Sequence, residues 1–392
     1  MSAIPEPQTS ATAQILQWWQ RNAEAGHRPH LGASLIGEAC ERKLWLTFRW
    51  ARSQDWEGRM LRLFDDGKRA ESRFVAELRG IGCDVWEFDE AGQQFRVSAH
   101  GGHFGGSLDA VLTGLPEAPK APHVVEFKTH NDKSFKALSK LGVQEAKPQH
   151  YAQMQVYMGL MDLDRAYYLA ENKNDASLYG ERVKFDADEF ARLMAKAQRV
   201  IQASEPPPKI GGPDDFACKW CDMQSLCHGT QAAEVNCRTC ARATPMTDST
   251  GAEWQCSLPT VGVIPIAVQR TGCKQHLYIP PLIRNLGEPV DGGEEHVVYR
   301  TAEGEFTNGP APGFSSVEIF NCRHKPLLTD PVVQDIKAQV KSARLVSGTA
   351  FDDLPDDDFM AGPAKREHPS KVVEKKKIRA AVAALKASEV PY

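Results

Sequence analysis

The chain is predicted to fold as an α/β protein, a mixed sheet flanked by helices in the order αβββαβ, followed by smaller cysteine-held units. Three observations predict this. Short apolar, β-branched runs such as GGSLDAVL and HVVEFKTH read as buried strands. Stretches with helical periodicity stand before and after them. Ten cysteines fall largely into closely spaced groups. With 392 residues and 42% hydrophobic content, the chain has room for two or three units and material for a full core.

The elements follow in order. Residues 1–29 form a polar N-terminal segment whose start, MSAIPEPQTSATAQ, lacks the apolar run of a secretory signal, so a cytoplasmic location is expected. Residues 30–230 form the main domain. Within it, MLRLFDDGKRAESRFVAELRGIG predicts an amphipathic helix over 60–79 with Leu61, Phe64, Phe74, Val75 and Leu78 as its apolar content and Glu71 among its polar residues. Strands are predicted at 84–88, 106–112, 124–128 and 165–170, and further helices at 147–161 and 186–203. A small ribbon occupies 235–282. A Gly- and Pro-punctuated β-rich piece covers 283–325, and a charged tail with a short terminal helix covers 326–392, where the acidic FDDLPDDDF precedes a basic stretch. The tail reads as a solvated linker, or as a segment recruiting a replication partner.

Chemistry concentrates at two strands. Asp109 follows Gly105-Gly106, and Glu126-Phe127-Lys128 ends an otherwise apolar run. Carboxylates in such settings are costly to bury without a partner, and a divalent cation, Mg²⁺ or Mn²⁺, would supply one through hard oxygen ligands. Glu126 and Lys128 are two apart, so they share a strand face. Lys128 would sit beside a metal-activated water and stabilise charge developing on a phosphate. An ordinary edge strand with a surface Glu-Lys pair is the plainer alternative.

This arrangement resembles the PD-(D/E)xK nuclease superfamily. The helical stretch KPQHYAQMQVYMGLM places Gln153 and Tyr157 four apart on one face, matching the QxxxY motif of the RecB-like exonuclease branch. The resemblance implies that both contact the DNA backbone and brace the site. Gly67 to Glu71 matches a Gly-x-x-x-Glu segment that in many RecB-like nucleases supplies a metal-site residue, which implies Glu71 as a third carboxylate ligand beside Asp109, Glu126 and the carbonyl of Phe127. The chain contains no G-x-x-x-x-G-K-[ST] phosphate loop, so it is similar to stand-alone nucleases of phage and prophage type, the CRISPR-associated-exonuclease-like group.

The cysteines extend the resemblance. Cys218, Cys221 and Cys227 form C-x2-C-x5-C after the turn EPPPKIGGP, with Cys40 far upstream in GEACERK. One cysteine before the core and three after it is the layout of the iron-sulfur nucleases, and the resemblance implies a 4Fe-4S cluster on these four. A zinc ion on the same ligands is the alternative, because thiolate sites accept either metal. Cys237, Cys240, Cys256 and Cys273 are spaced as a zinc ribbon, with His276 able to replace Cys256. Cys83 and Cys322 read as buried apolar residues.

Around Cys40, Arg42, Lys43, Arg49 and Arg52 alternate with Trp45, Phe48 and Trp50. This pattern suits single-stranded DNA, with cations on phosphates and rings on bases, and equally suits a buried helix face. A net charge of −4 makes any attraction to DNA local. The expected function is a metal-dependent DNA nuclease, an exonuclease acting in recombination, replication or repair on single-stranded or end-containing duplex DNA. A non-cleaving DNA-binding or assembly module is the competing reading. Single-stranded-DNA-binding or recombination proteins are candidate partners, an oligomer is compatible with the sequence, and no membrane partner is expected.

Overall fold

A computed structural model describes residues 10–23, 28–249, 251–340 and 342–345. Of the charged tail, residues 346–392 with the acidic run and the terminal helix lie outside the described residues, as do residues 1–9, whereas its described part includes a helix at Pro331–Gln339. The described elements belong to one compact unit spanning residues 1–348. It is mixed α/β.

The chain enters through α1 (Ala11–Arg21), the two-residue β1 (Leu31–Gly32), α2 (Glu41–Phe48) and the long α3 (Gly58–Gly80). Then come β2 (Asp84–Trp86), β3 (Arg96–Ala99), β4 (Phe104–Ser107), β5 (Ala110–Thr113), β6 (His123–His130), α4 (Asp132–Ala146), α5 (Pro148–Met161), β7 (Arg165–Asn172), β8 (Leu178–Lys184) and α6 (Ala187–Gln202). The central sheet has the order β2-β5-β6-β7-β8. It is antiparallel except at its centre, where β6 and β7 run parallel with Glu126 opposite Tyr168 and Lys128 opposite Ala170. The right-handed crossover expected of such a parallel pair is served here by α4 and α5.

Strand alternation divides the core. Val125 and Phe127 of β6 pack with Ala110, Leu112 and Leu169 under Phe74, Val75 and Leu78 of α3. Val124 of β6 joins Ala166, Tyr168 and Ala170 of β7 in the other cluster, with α5 and α6. Glu126 and Lys128 thus share the face covered by α5, whereas Phe127 stacks on Phe74 at 5.3 Å. Arg73 of α3 forms an ion pair with Glu171 of β7, which pins the helix along the sheet.

Two sequence expectations need correction. The run 106–112 is not one strand. It divides at Leu108-Asp109 into β4, which pairs with β1 and β3, and β5, which pairs with β2 and β6. The physical reason lies in a neighbouring strand: Asp109 turns its carboxylate to the backbone of β6, where Phe127 N–H donates to Oδ2 at 2.8 Å. In addition, α4 and β8 were not anticipated. Gly142 interrupts α4 with a left-handed φ of 75°, and polar residues dominate that helix.

The cysteine-rich segment adds the short strands β9 (Ala243–Pro245), β10 (Trp254–Cys256) and β11 (Val263–Ile264), in antiparallel order β11-β10-β9. Beyond it, β12 (Glu288–Gly292), β13 (Val297–Arg300) and β14 (Glu305–Asn308) form an antiparallel meander. No helix among the described residues is long and apolar enough to cross a membrane.

The residues around Cys40 do not present a stacking surface. Trp45, Phe48, Trp50 and Arg49 are all at most 3% exposed. Their rings wrap two guanidinium groups: Arg238 lies 3.6 Å from the centre of Trp50 and 4.9 Å from that of Trp254, and Arg49 lies 5.0 Å from Trp45 and from Trp254. Arg238 also donates to the carbonyls of Phe48 and Pro29 at 3.0 Å, and Arg49 to those of Arg238 and Ala203. Arg42 is committed to the Pro207 carbonyl, Lys43 to Glu38, and Arg52 to the Asp222 carbonyl. The alternation of basic and aromatic residues is here a buried cation-π packing between α2 and the cysteine-rich segment.

Candidate metal-dependent active site

Glu126 sits in the middle of a buried strand and is fully inaccessible. Its Oε1 accepts from Lys128 Nζ, while its Oε2 is buried with no hydrogen-bond partner. Burial drives the Glu126 carboxyl up to about 7, against the opposing pull of Lys128, and Asp109 and Glu71 push it the same way. Glu71, reaching in from α3, is likewise raised to about 7 by burial and then by Asp109. Lys128 loses solvation too, but Glu126, Asp109 and Glu71 hold its pKa above the ordinary lysine value. Its ammonium also donates to the Phe127 carbonyl at 3.0 Å.

Asp109, Glu126, Lys128 and Glu71, predicted from three separated stretches, therefore lie within electrostatic reach of one another. Gln153 and Tyr157 complete the neighbourhood. Tyr157 Oη donates to the Ser107 carbonyl at 2.9 Å, just ahead of Asp109, and Gln153 Nε2 donates to Tyr157 Oη at 3.3 Å. Both side chains are buried rather than solvated. Gly106 makes this closure possible, because a Cβ there would meet Tyr157 Oη at 2.6 Å.

Among the described residues, no group of three or more His, Cys, Asp or Glu side chains is placed so as to hold a metal ion. The donor set nevertheless fits a hard divalent cation. Burial, with the charge of Asp109 beside them, raises the proton affinity of Glu71 and Glu126 around a single lysine, and one buried carboxylate oxygen lacks any partner. A cation would satisfy that oxygen and relieve the repulsion. The Phe127 carbonyl is the fourth oxygen at hand, presently engaged by Lys128.

Cys40, Cys218, Cys221 and Cys227 line one small cavity between α2 and the two short turns at Phe216–Lys219 and Gln224–Cys227. Burial pushes the thiols of Cys221 and Cys227 up, and cations stand beside them: Lys43 at Cys221, Arg42 at Cys227. Such neighbours would support deprotonated sulfur ligands. Cys237 is raised by burial to about 12, with further contributions from Cys240, Cys273 and Cys256, so these four thiols lie within electrostatic reach of one another. His276 faces elsewhere: its Nε2 lies 3.0 Å from the Asn236 carbonyl and 3.2 Å from Thr239 Oγ1. Cys83 and Cys322 are buried, as expected.

Sequence reasoning overlooked His130, His150 and Tyr168. Their rings stack beside the site, and Tyr168 Oη lies 2.8 Å from both His130 Nε2 and His150 Nδ1. A signal was present, because His150 precedes Gln153 by three residues and therefore shares its helix face.

No family model and no curated protein matches the chain. Among solved structures it is similar to SSO0001, with a TM-score of 0.35 and 16% identity over 56% of this chain and 97% of that one. It is also similar to LHK-Exo, an alkaline exonuclease from Laribacter hongkongensis, with a TM-score of 0.32 and 14% identity over 47% of this chain and 90% of that one. A further structure of LHK-Exo, in complex with dAMP, matches with the same score and identity. Likenesses at this level carry no argument about the site.

Proposed function

We propose that this chain is a metal-dependent DNA nuclease, an exonuclease hydrolysing phosphodiester bonds in recombination, replication or repair. The observation that carries the reading is Glu126. It is a fully buried carboxylate with one oxygen tied to Lys128 and the other without a partner, flanked by Asp109 and Glu71. A purely structural Glu-Lys pair would not gather two further carboxylates around it. A bound Mg²⁺ or Mn²⁺ ion would supply Lewis acidity toward a phosphate oxygen and lower the pKa of water.

The chain's own residues do the rest. Asp109 and Glu126, with Glu71 and the Phe127 carbonyl, would hold the ion. Lys128, held beside Glu126 and the Phe127 carbonyl, would orient the attacking water and stabilise charge developing on the phosphate. Tyr157 holds the Asp109 loop through Ser107, and Gln153 extends that brace toward the substrate strand. In this reading Cys40, Cys218, Cys221 and Cys227 carry a 4Fe-4S cluster that ties the two ends of the nuclease domain together, and Cys237, Cys240, Cys256 and Cys273 carry zinc.

The test incubates purified protein with end-labelled single- and double-stranded DNA in Mn²⁺ or in EDTA, beside Lys128→Ala with an unchanged melting profile. Metal-dependent degradation lost in the variant is the expected result. Intact DNA with the native protein under every metal would sink the reading. Iron, sulfide and zinc analysis of anaerobically prepared protein tests the cysteine assignments: zinc without iron would overturn the cluster.

A further inference from the structure

Behind the carboxylates runs a hydrogen-bonded line of side chains that the proposed reaction leaves unused. Lys147 Nζ donates to Ser134 Oγ at 2.6 Å. Ser134 Oγ lies 3.2 Å from His130 Nδ1, His130 Nε2 lies 2.8 Å from Tyr168 Oη, and Tyr168 Oη lies 2.8 Å from His150 Nδ1. The three rings are stacked, with centroids 5.8–6.4 Å apart and planes within 27° of parallel.

The protons in this line have one fully satisfied arrangement. Both histidines are neutral, since burial lowers His130 to about 4 and His150 to about 3, so each ring carries one N–H. Lys147 can only donate, which makes Ser134 Oγ an acceptor from it and turns the serine hydroxyl toward His130 Nδ1. His130 then carries its hydrogen on Nε2 and donates to Tyr168 Oη. Tyr168 gives its own hydrogen to His150 Nδ1. Run in reverse, the line would leave the Ser134 hydroxyl hydrogen without an acceptor within it, since Lys147 and His130 Nδ1–H would both donate to Ser134 Oγ. The line therefore ends on His150 with a hydrogen on Nε2.

That hydrogen is placed for a ligand. His150, Gln153 and Tyr157 occupy positions i, i+3 and i+7 of α5, a row about 10 Å long on one helix face. Lys128 is the charge that His150 feels most strongly, so the ring stands beside the carboxylate site. His150 Nδ1 is used by Tyr168, and Nε2, on a half-buried ring, is not among the buried atoms without partners.

We propose that His150 is a further substrate-binding residue: its Nε2–H, held in that tautomer by the Lys147–Ser134–His130–Tyr168 line, donates to a phosphate oxygen of the DNA strand bound along α5. The group it meets must accept, and phosphodiester oxygens at neutral pH have that character. This assignment rests on the nuclease reading given above.

The experiment has two arms. In the first, protein labelled with ¹⁵N-histidine is examined by two-bond ¹H-¹⁵N correlation without DNA: His150 is expected protonated on Nε2 and bare on Nδ1, and Tyr168→Phe, which keeps the stacked ring and removes the hydroxyl, is expected to mix or reverse the tautomers. In the second, cleavage and oligonucleotide affinity are measured for His150→Ala, His150→Gln and Tyr168→Phe with unchanged melting profiles. His150→Ala is expected to raise KM and Kd about tenfold with kcat nearly unchanged, and His150→Gln, whose amide can donate from a similar place, to restore most of the loss. A His150 protonated on Nδ1, or an alanine variant with native KM and Kd, overturns the proposal while leaving the nuclease reading intact. Native protein that binds oligonucleotide through His150 but cleaves no DNA with Mg²⁺ or Mn²⁺ would instead overturn the nuclease reading.

Discussion

Replacing Glu126 with glutamine should make the metal-free protein more stable at pH 8 and leave it almost unchanged at low pH. Glu126 titrates near 4.5 in the unfolded chain and near 7 in the folded one. The folded state therefore holds a proton that the unfolded state releases, and stability falls as pH rises between those values. At about 1.4 kcal/mol per pH unit, the interval is worth about 3 kcal/mol, lost mostly between pH 4.5 and 7. Lys128, raised above its ordinary value, is charged in both states throughout this range and adds no slope. Buried histidines such as His130 and His150, lowered below their ordinary value, add stability as pH rises, but they do so in both proteins and cancel in the difference. Urea unfolding in EDTA from pH 4.5 to pH 8 is the assay, read as the difference in stability between the variant and the native protein. The difference should grow in the variant's favour by about 2–3 kcal/mol from one end of the range to the other. Parallel curves would refute the claim that burial, rather than pairing with Lys128, dominates this carboxylate.

Three more outcomes follow from the same geometry. Mn²⁺ or Mg²⁺ should raise the melting temperature of the native protein at pH 8, by the equivalent of about 2.7 kcal/mol at a hundredfold excess over Kd, and this gain should vanish in Asp109→Asn. Gly106→Ala should drive the Tyr157 phenol off the Ser107 carbonyl, costing about 1–3 kcal/mol in urea unfolding and lowering cleavage; native stability would show that Tyr157 yields without consequence. Arg238→Met should cost about 3 kcal/mol, since it leaves the carbonyls of Phe48 and Pro29 unpaired and removes the cation from three aromatic faces; an unperturbed unfolding curve would deny the guanidinium its role in the core.

The sequence was most legible where a local signal coincides with the tertiary role. The helices at 58–80 and 187–202 coincide with the stretches expected at 60–79 and 186–203, and the structure adds that Asp186 caps the second, its side chain accepting from the N–H groups of Asp188 and Glu189. Glu126 and Lys128 stood out because charge interrupts an apolar strand. The division of 106–112 was not legible, because it depends on a bond between Asp109 and a backbone group eighteen residues beyond it in another strand. The same holds for Arg49 and Arg238, whose partners are rings and carbonyls distant in sequence. A basic residue surrounded by aromatics has the same local appearance whether it meets DNA or its own core. His150 was missed for a different reason: its neighbours in the stack come from β6 and β7, and of the predicted site residues only Gln153 and Tyr157 share its stretch of chain.

Helix α2 also acts as a spacer of fixed length. Cys40 caps its first turn, its Sγ 3.4 Å from the Lys43 amide, and faces the cavity shared with Cys218, Cys221 and Cys227. At the other end Phe48, Arg49 and Trp50 hold Arg238, which lies between Cys237 and Cys240. Eight helical residues set about 12 Å between these ends. One inserted residue would lengthen the helix by only about 1.5 Å but turn one end by about 100° against the other. Either Cys40 would leave its three companions or Arg238 would lose its aromatic sleeve. The length of this short helix is therefore constrained from both sides, and insertions that a surface helix would absorb should fail here whatever residue is added.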